Sequence, residues 1–274
     1  MNAAAKEAQL LDWFRSQPSV LIGFSGGVDS AYLASLALEA LGPARVLAVT
    51  GVSPSFSGEQ RAMAREVAAQ MGLPVLEVPT REMDDARYAA NPSDRCYFCK
   101  NELWTVLGRI ARERAPASIV DGTNADDLAD VRPGARAARE HGVRSPLADA
   151  GLTKAEIRER SSARGLPASA RPSSPCLASR LPYGTAVTVE RLAQVERAER
   201  ALRALGIAGD LRVRHHGDLA RVELARAELD RWLAPAALRA IRDAVRGAGF
   251  ARAAVDLRGF RSGSLNVLAG VTAA

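Results

Sequence analysis

A short glycine- and serine-rich segment, residues 25–30 (Ser-Gly-Gly-Val-Asp-Ser), has the composition of an anion-binding turn. It follows an apolar run and precedes a helical pattern, so that backbone N–H groups and the positive end of the helix dipole face one point. The glycines permit a tight turn and close approach of a phosphate. Ser25 and Ser30 can add hydroxyl donors, and Asp29 can hold an accompanying Mg²⁺ or order the loop. Neither the Walker pattern nor Gly-x-Gly-x-x-Gly is present, and a plain strand-to-helix turn is the alternative.

An acidic turn at residues 121–127 (Asp-Gly-Thr-Asn-Ala-Asp-Asp) is a second candidate for the same site. It follows the predicted strand Ser118–Val120 at its carboxyl end, where ligands bind in parallel sheets. Thr123 and Asn124 can reach a phosphate or a ribose, and Asp127 can ligate Mg²⁺. The alternative is an acidic turn that is closed by an Asx hydrogen bond and binds nothing.

The three cysteines indicate metal, cluster or catalytic chemistry rather than a disulfide framework. Cys96 and Cys99 are separated by two residues, and Cys176 lies far along the chain. Three cysteines cannot form a closed disulfide set, and a reducing cytosol disfavours disulfides. Because the two segments can both be loops over the same end of the sheet, their separation in sequence is no obstacle to a shared site.

Two other uses of the cysteines remain open at this point. A Cys-x-x-Cys pair is often half of a zinc site, whose fourth ligand here would be His141, His215 or His216. It is also the motif of a thioredoxin-like redox pair, although that motif belongs at the start of a helix in a different βαβ context. His215 and His216 are expected in a turn rather than as ligands.

The N-terminal half of the chain alternates short apolar strands with amphipathic helices. The predicted strands are Val20–Phe24, Val46–Val49, Val75–Val78 and Ser118–Val120, and the predicted helices include Asp29–Leu41 and Glu59–Met71. Capping boxes begin helices at Ser57 and at Thr153. Continuous apolar strands between amphipathic helices predict an α/β fold, a parallel sheet covered by helices on both faces.

The pattern changes after the Pro- and Ser-rich loop 171–184, and we predict a domain boundary there. Residues 1–184 form the parallel-sheet domain, and residues 185–274 form a smaller α+β domain. The predicted elements of the second domain are the helix Val189–Leu205, the strands Leu211–Arg214 and Ala220–Leu224 joined through a turn at 215–218, the helix Pro235–Val245 and the strand Ala253–Leu257.

Arginines and one glutamate of the second domain form a candidate phosphate site. Arg212 and Arg214 are two residues apart, so on a strand they project from the same face. Paired guanidinium groups suit a substrate phosphate, and Glu223 on the partner strand can bind metal or orient the substrate. Arg180, which lies just before the predicted boundary and close after Cys176, can neutralise a phosphate beside that cysteine. A ladder of surface salt bridges is the alternative for this group.

Composition describes an ordinary globular protein of 274 residues, with 47% hydrophobic and 25% charged residues. No apolar run reaches the ~18 residues of a membrane-spanning helix, and the first residues lack a secretory signal pattern, so we expect a cytoplasmic protein and no membrane partner. The net charge is +6, but nearly all of the positive charge is arginine that alternates with acids. That pattern is typical of solvated helix faces, and we do not expect a nucleic-acid partner.

The motifs together resemble a known family. Residues 25–30 resemble the PP-loop of the ATP pyrophosphatases, which bind the phosphates of ATP and release pyrophosphate while they adenylate a substrate. Further motifs are similar to those of the LarE family of sulfur transferases, over nearly the whole chain. These motifs are residues 94–100 (Asp-Arg-Cys-Tyr-Phe-Cys-Lys), 121–127, 176–180 (Cys-Leu-Ala-Ser-Arg), 212–218 (Arg-Val-Arg-His-His-Gly-Asp), 220–223 (Ala-Arg-Val-Glu) and 261–266 (Arg-Ser-Gly-Ser-Leu-Asn).

The resemblance implies a reaction in the synthesis of the nickel-pincer nucleotide, the cofactor of lactate racemase. A carboxylate of a pyridinium-3,5-biscarboxylic acid mononucleotide is adenylated by ATP, and a sulfur nucleophile then displaces AMP to give a thiocarboxylate. The implied cofactors are ATP, Mg²⁺ and a [4Fe–4S] cluster. Cys96, Cys99 and Cys176 would ligate the cluster and leave one iron open to carry sulfur, whose donor the sequence does not identify.

The resemblance also assigns residues to each part of the site. The residues implied for ATP are Gly23, Phe24, Ser25, Gly26, Gly27, Asp29, Ser30, Gly122, Thr123, Asn124 and Asp127, with Asp29 and Asp127 on Mg²⁺. Those implied for the substrate phosphate are Arg212, Arg214, Arg258 and Arg261. The implied catalytic residues are Cys176, Arg180 and Glu223, and Glu199, Glu223 and Asp230 form an implied further metal site.

Three other functions fit parts of this pattern. In some members of the family a cysteine that matches Cys176 gives up its own sulfur and becomes dehydroalanine. A tRNA thiolation enzyme of the same superfamily also holds a cluster on a Cys-x-x-Cys pair and a distant cysteine, and would bind tRNA in a salt-dependent way. A nucleotide-binding sensor without catalysis is the third, but it would not need the cysteines. A homo-oligomer is the statistical default for any of them.

Overall fold

The computed structural model describes residues 1–114, 117–129, 133–169 and 174–261. Part of the predicted loop 171–184 and all but the first residue of the 261–266 motif therefore lie outside the described residues. The described chain forms two compact units. The first contains residues 1–85 and 94–174, and the second contains residues 86–93 and 175–261. The chain enters the second unit at Pro175, ahead of the predicted boundary at residue 185.

The described residues form seven strands and eleven α-helices, which are numbered here in chain order. The strands are β1 Val20–Gly23, β2 Val46–Val52, β3 Val75–Pro79, β4 Ser118–Val120, β5 Leu211–His216, β6 Leu219–Leu224 and β7 Arg252–Val255. The helices are α1 Ala3–Arg15, α2 Val28–Leu41, α3 Gly58–Met71, α4 Ala86–Ala89, α5 Arg95–Glu113, α6 Pro133–Glu140, α7 Pro146–Asp149, α8 Lys154–Ala163, α9 Val189–Ala204, α10 Leu229–Trp232 and α11 Pro235–Gly247. Within the described ranges, no helix is both long enough and apolar enough to cross a bilayer.

The first unit is built on a parallel sheet with the strand order β3-β2-β1-β4. Alternate residues of β1 enter two different cores. Ile22 packs with Phe14 of α1 and Leu33 of α2 on one face, whereas Leu21 packs with Trp104 of α5 on the other. Helices thus cover both faces, and the predicted α/β fold is confirmed. Because β1 and β4 are neighbours, the turns that follow them begin side by side at the carboxyl edge of the sheet.

The helices of this unit begin and end where the local sequence indicates. Ser57 and Gln60 form a capping box at α3, and Thr153 and Glu156 form one at α8. Gly72 ends α3 in the left-handed conformation, at a φ of +61°, which favours glycine. Helix α2 differs, because its N-cap is Gly27 and no side chain caps it. The first N–H groups of α2 are therefore not satisfied by a capping side chain.

Helix α5 corrects the expectation that the Cys-x-x-Cys segment is a loop. Cys96 and Cys99 are the second and fifth residues of this helix. The helix forms because Trp104, Leu107 and Ile110 recur at helical spacing and bury one stripe against the sheet. The pair thus lies at a helix start, which removes one part of the objection to a thioredoxin-like motif.

The second unit contains a three-stranded sheet in the order β5-β6-β7, with β5 and β6 antiparallel and β7 parallel to β6. Helix α9 contacts β5 and α11, and α11 contacts β7. The expectation that His215 and His216 form a turn is wrong, since both belong to β5 and the turn is Gly217-Asp218. The φ of +67° at Gly217 explains why the strand continues up to the glycine.

A separate stretch, residues 86–93, belongs to the second unit through Asn91. This residue is fully buried, and its φ of 58° lies in the left-handed region that asparagine tolerates. Its side-chain amide donates to the carbonyls of Pro182 and Thr185, each at 2.8 Å, and its carbonyl accepts the N–H of Gly184 at 2.9 Å. Asn91 therefore fixes the loop that follows Arg180.

Candidate active site

The glycine-rich turn after β1 leaves its backbone open on one side and is fixed on the other. Ser25 and Gly27 are exposed, whereas Gly26 is buried. Ser30 Oγ donates to the carbonyl of Gly27 at 3.0 Å, and the hydroxyls of Ser25 and Ser30 lie 3.3 Å apart. Thr50 Oγ1 on β2 donates to the carbonyl of Phe24 at 2.9 Å. The N–H groups of Ser25 and Gly27 donate to the hydroxyls of Ser30 and Ser25, at 3.4 and 3.3 Å, so that hydrogen bonds within the turn maintain its shape.

Two glycines at the end of β1 and in the turn are required by their contacts, and Gly26 is required by its conformation as well. Gly26 has a φ of +73°, and a Cβ there would lie 2.6 Å from Cα of Ala64 on α3. A Cβ on Gly23, at the end of β1, would lie 2.7 Å from the ring of Trp104. Both contacts are closer than real Cβ atoms approach their neighbours, so that a larger residue would push the turn away from the sheet.

The acidic turn after β4 packs directly on the start of α2. A Cβ on Gly122 would lie 3.0 Å from the backbone nitrogen of Ser30, so only glycine fits without displacement. Asn124 is 3% exposed, and its side chain bonds three groups. Its Oδ1 accepts the N–H groups of Asp126 and Asp127, at 3.0 and 3.2 Å, and its Nδ2 donates to Asp29 at 3.4 Å. Asn124 thus joins the two turns and closes an Asx turn.

Thr123 and Asp127, the other two side chains predicted for the site in this turn, also have partners in this region. Thr123 Oγ1 donates to Asp121 at 2.9 Å, and Asp121 also accepts from Ser145 Oγ at 2.8 Å. Asp127 is half-buried and accepts the N–H of Asn124 at 3.2 Å. The residues predicted at this turn therefore lie beside the start of α2, in an arrangement that their own hydrogen bonds maintain.

Lys154 is a site residue that sequence reasoning missed. It is the first residue of α8, and its ammonium donates to the carboxylate of Asp29 in an ion pair. Its own N–H donates to Asp126 at 2.8 Å. Composition could have pointed to this residue, because lysine occurs at three positions in a chain whose other cationic side chains are arginine. The capping-box pattern explained the helix start but not the choice of lysine.

The Cys-x-x-Cys pair lies on one face of α5 near its start, since residues three apart are neighbours on a helix. Cys96 is exposed and Cys99 is half-buried. Between them, Tyr97 donates to Glu140 at 2.6 Å and carries the guanidinium of Arg136 4.1 Å from its ring centre. These contacts join α5 to α6 and fix the turn that carries both thiols.

In the second unit, Arg180 holds the backbone at Cys176. Its Nη1 donates to the carbonyls of Pro175 and Cys176, at 2.5 and 3.0 Å. Its Nε and Nη2 donate to the two oxygens of Glu199, at 2.9 and 3.0 Å. Glu199 also accepts the N–H of Val213 at 2.9 Å. Arg180 is 3% exposed, so its guanidinium faces these partners rather than solvent.

Glu223 is the centre of a buried charge cluster on β5 and β6. It is 1% exposed, accepts from Arg214 at 2.8 and 2.9 Å, and accepts from Arg221 at 2.8 Å. Arg214 also donates to the carbonyl of Ser179 at 2.9 Å. The turn after Cys176 is therefore fixed against the strand that carries both predicted phosphate arginines.

Arg212 is the second of these arginines, and its environment differs from that of Arg214. It is 6% exposed, donates to the carbonyl of Leu211 at 2.7 Å, and lies 5.1 Å from the ring centre of Phe260. Burial, together with repulsion from Arg180, lowers the pKa of Arg212 to about 10. A desolvated cation of this kind gains strongly from an anion, because little water screens the pair.

Two predicted residues, Asp230 and Arg261, are not drawn into these clusters by the described contacts, and Arg258 reaches the Glu223 cluster only through Asp256, which lies 3.8 Å from Arg221. Asp230 is exposed on α10, and Arg261 is exposed at the end of the described chain. Arg258 donates to Asp256 at 3.3 Å, and the exposed fraction of its side chain is 63%. A cleft of about 500 Å³ in the first unit, between the end of β3 and α5, contains none of the predicted nucleotide residues.

Similarity to known proteins extends along the whole chain. The family model of NAD synthase matches residues 14–103. An uncharacterized protein of Synechocystis sp. is 42% identical over 262 residues, 96% of this chain and 97% of that protein. The pyridinium-3,5-bisthiocarboxylic acid mononucleotide synthase of Lactiplantibacillus plantarum is 34% identical over 267 residues, 96% of this chain and 94% of the synthase. The NH(3)-dependent NAD(+) synthetase of Mesorhizobium japonicum is 32% identical over 80 residues, 27% of this chain and 25% of the synthetase.

The parallel sheet, the glycine turn after β1 and the matching family model define a PP-loop enzyme that uses ATP. The match to NAD synthase ends at residue 103, within the first unit, whereas the match to the synthase includes the second unit as well. The chain belongs to the LarE family of ATP-dependent sulfurtransferases, the family of that synthase. The resemblance seen in the sequence motifs is thereby confirmed.

Proposed function

We propose that the protein makes the thiocarboxylate of a pyridinium mononucleotide for the nickel-pincer cofactor. ATP adenylates a carboxylate of pyridinium-3,5-biscarboxylic acid mononucleotide and releases pyrophosphate. A sulfur nucleophile then bonds to the carbonyl carbon as the bond to AMP breaks. The observation that carries the proposal is 34% identity to the synthase over 96% of the chain, which includes both units.

The phosphates of ATP are proposed to bind at the start of α2. The uncapped N–H groups of this helix, its positive dipole end and the hydroxyls of Ser25 and Ser30 are the donors. Asp29 and Asp127 are the proposed Mg²⁺ ligands. In the described arrangement Asp29 holds the ammonium of Lys154, and an ammonium released from Asp29 by Mg²⁺ is available to a phosphate.

The substrate phosphate is proposed to bind Arg212 and Arg214, with Arg258 and Arg261 as further cations. Burial of Arg212 supports this, since a buried arginine contributes more to anion binding than an exposed one. Glu223 holds Arg214 by two short contacts and thereby orients its guanidinium. We infer that Arg180 positions the backbone of Cys176 and that Glu199, rather than a substrate phosphate, neutralises its charge. Among the described residues Glu199, Glu223 and Asp230 do not form a metal-binding group, so no metal role is proposed for them.

The three cysteines are proposed to ligate a [4Fe–4S] cluster. Their chemistry fits, because thiolates are the usual ligands of such clusters and Cys96 and Cys99 share one face of a helix turn. A cluster bound there would supply the sulfur for transfer at an iron that has no protein ligand. The residues of this chain hold the thiols in place, with Arg180 fixing the backbone at Cys176 and Tyr97 fixing the first turn of α5.

Anaerobic purification followed by turnover tests this function directly. Protein incubated with MgATP and the biscarboxylic mononucleotide should release pyrophosphate and AMP and give a thiocarboxylate that mass spectrometry detects. About four irons per chain are expected. Bound zinc instead of iron would contradict the cluster, and pyrophosphate release that does not depend on the mononucleotide would contradict the substrate.

Protein mass after turnover separates two sources of sulfur. A decrease that corresponds to loss of hydrogen sulfide at Cys176, with one product per chain, would show sacrificial chemistry. Many products per chain with unchanged protein mass are expected for a cluster. Copurified tRNA that leaves the protein as salt increases would favour tRNA thiolation instead.

A further inference from the structure

Glu7 is a buried carboxylate that lies outside every motif of the candidate site. It is on α1, is 6% exposed, and accepts hydrogen bonds from side chains of two other helices. Tyr32 Oη on α2 donates at 2.6 Å. Arg160 on α8 donates at 2.9 and 3.0 Å, and Arg164, the residue that caps the end of α8, donates at 3.0 Å. One carboxylate thus ties three helices of the first unit together.

The two helices that Glu7 joins are those that meet at the proposed phosphate site. Helix α2 begins directly after the glycine turn, and Tyr32 lies three residues beyond Asp29, about one helical turn away. Helix α8 begins at Lys154, whose ammonium contacts Asp29. The distance between the start of α2 and the start of α8 therefore depends on the contacts that Glu7 makes with both helices beyond their first turns.

Helix α1 also holds the first turn of α8. Lys6 Nζ donates to both oxygens of Glu156, at 2.7 and 2.8 Å, and to the carbonyl of Gly151 at 2.8 Å. Glu156 closes the capping box with Thr153, the residue before Lys154. Two separate ion contacts, one at the first turn of α8 and one further along, therefore anchor this helix to α1.

The contacts of Glu7 are charge-assisted at neutral pH. Burial by itself raises the pKa of Glu7, but hydrogen bonds from Arg160 and Arg164 outweigh it and lower the pKa to about 2. Burial and the bond to Glu7 raise the pKa of Tyr32, so its hydroxyl stays a donor. Hydrogen bonds to an ionised group are shorter and stronger than neutral ones, which makes this junction stiff.

We propose that Glu7 is a positioning residue for ATP, which fixes α2 against α8 so that Lys154 and the glycine turn face the phosphates at a set distance. This inference rests on the proposed function, because it requires ATP at the start of α2. Glu7 acts without touching the nucleotide. Its effect reaches the site through the two helices that it joins.

Equilibrium binding of MgATP to folded protein tests this role. Tyr32→Phe removes only the bond from α2, and Glu7→Gln removes the charge at nearly constant shape. Each should raise the Kd of MgATP roughly two- to thirtyfold, the range of coupling through packed elements, and leave the KM of the mononucleotide unchanged. Glu7→Asp, which keeps the charge, should bind MgATP more tightly than Glu7→Gln.

Leu10→Ala is the matched control. Leu10 is 2% exposed in the core and on the same helix, so its truncation destabilises α1 by leaving a cavity without removing the carboxylate. It should lower the Tm and leave the Kd of MgATP within twofold of the wild type. All binding is measured at a temperature at which thermal melts show every variant to be folded.

Two results would overturn the inference. One is a Kd for MgATP that Tyr32→Phe and Glu7→Gln leave within twofold of the wild type. The other is an equal rise in Leu10→Ala, because general softening of α1 would then explain the effect. If Glu7→Gln does not fold, Tyr32→Phe decides by the same criterion. A wild-type protein that fails to bind MgATP would refute the proposed function itself, which is a distinguishable outcome.

Discussion

Replacing Gly26 by alanine should disable nucleotide binding while the rest of the fold survives. The φ of +73° at this position costs an L-residue roughly 1–2 kcal/mol. The new Cβ would also lie 2.6 Å from Cα of Ala64, which is backbone and cannot rotate away. The turn must therefore move by roughly 1 Å before the contact is ordinary. A displacement of that size at a reacting site costs up to about a hundredfold, and we expect a tenfold to hundredfold loss in kcat/KM for ATP.

Gly72 offers a matched control on the helix that Gly26 contacts. It ends α3 at a φ of +61°, and among the described residues a Cβ there would meet no atom within 4 Å beyond its chain neighbours and its own helix. Gly72→Ala therefore carries the backbone cost without the steric one. Gly72→Ala should lose about 1–2 kcal/mol of unfolding free energy in urea titrations, and Gly26→Ala should lose more because it adds the steric contact. Isothermal titration with MgATP should separate them, because Gly72→Ala should bind as the wild type does.

Two outcomes would contradict the prediction for Gly26→Ala. If Gly26→Ala binds MgATP within twofold of the wild type, then contact between the turn and Ala64 does not determine the position of the phosphate site. An equal loss of affinity in Gly72→Ala would also refute it, because backbone strain alone would then account for the loss.

Three further predictions concern the second unit, the acid stability and the cysteines. Arg212→Met should raise the KM of the mononucleotide roughly ten- to a hundredfold, because the variant loses a charged hydrogen bond to the phosphate of the mononucleotide. The KM of ATP should stay unchanged, since Arg212 is not proposed to bind ATP. Steady-state kinetics in which each substrate is varied in turn checks both expectations. The folded-state pKa of Glu7, about 2, lies below the ordinary value of 4.5, so Glu7 stabilises the fold above pH 4.5 and loses this effect as the pH falls towards 2. As the pH is lowered from 5 to 3, the urea midpoint of Glu7→Gln should therefore fall less steeply than that of the wild type. Equal slopes for the two proteins would contradict the assigned pKa. Cys96→Ser with Cys99→Ser should abolish bound iron and multiple turnover, measured by metal analysis and product counts; repeated turnover by this double variant would exclude the cluster.

Much of the first unit follows from local sequence. The apolar strands, the capping boxes at Ser57 and Thr153 and the glycine turn after β1 all depend on neighbours within a few residues. Helix α5 replaces the loop expected at the Cys-x-x-Cys motif, because apolar residues at helical spacing continue from Trp104 to Ile110 and bury one face of the segment. The strand β5 extends through His215 because His215 is buried, its Nε2 bonds Gln194 at 3.1 Å and its ring packs on Phe250. These contacts come from distant parts of the chain.

The amino-acid sequence by itself determined the class of fold, the position of the glycine-rich turn and the family, because periodicity, caps and short motifs are local properties. Only the tertiary structure decided which charges meet. Lys154 is 125 residues from the Asp29 that it contacts, and Arg160 is 153 residues from Glu7. The partner of a charged side chain depends on how whole helices pack, and many equally charged residues compete for it. A short-range sequence pattern does not predict which two charged side chains form a pair. The pairing is decided by burial, because a buried charge cannot use water as its partner.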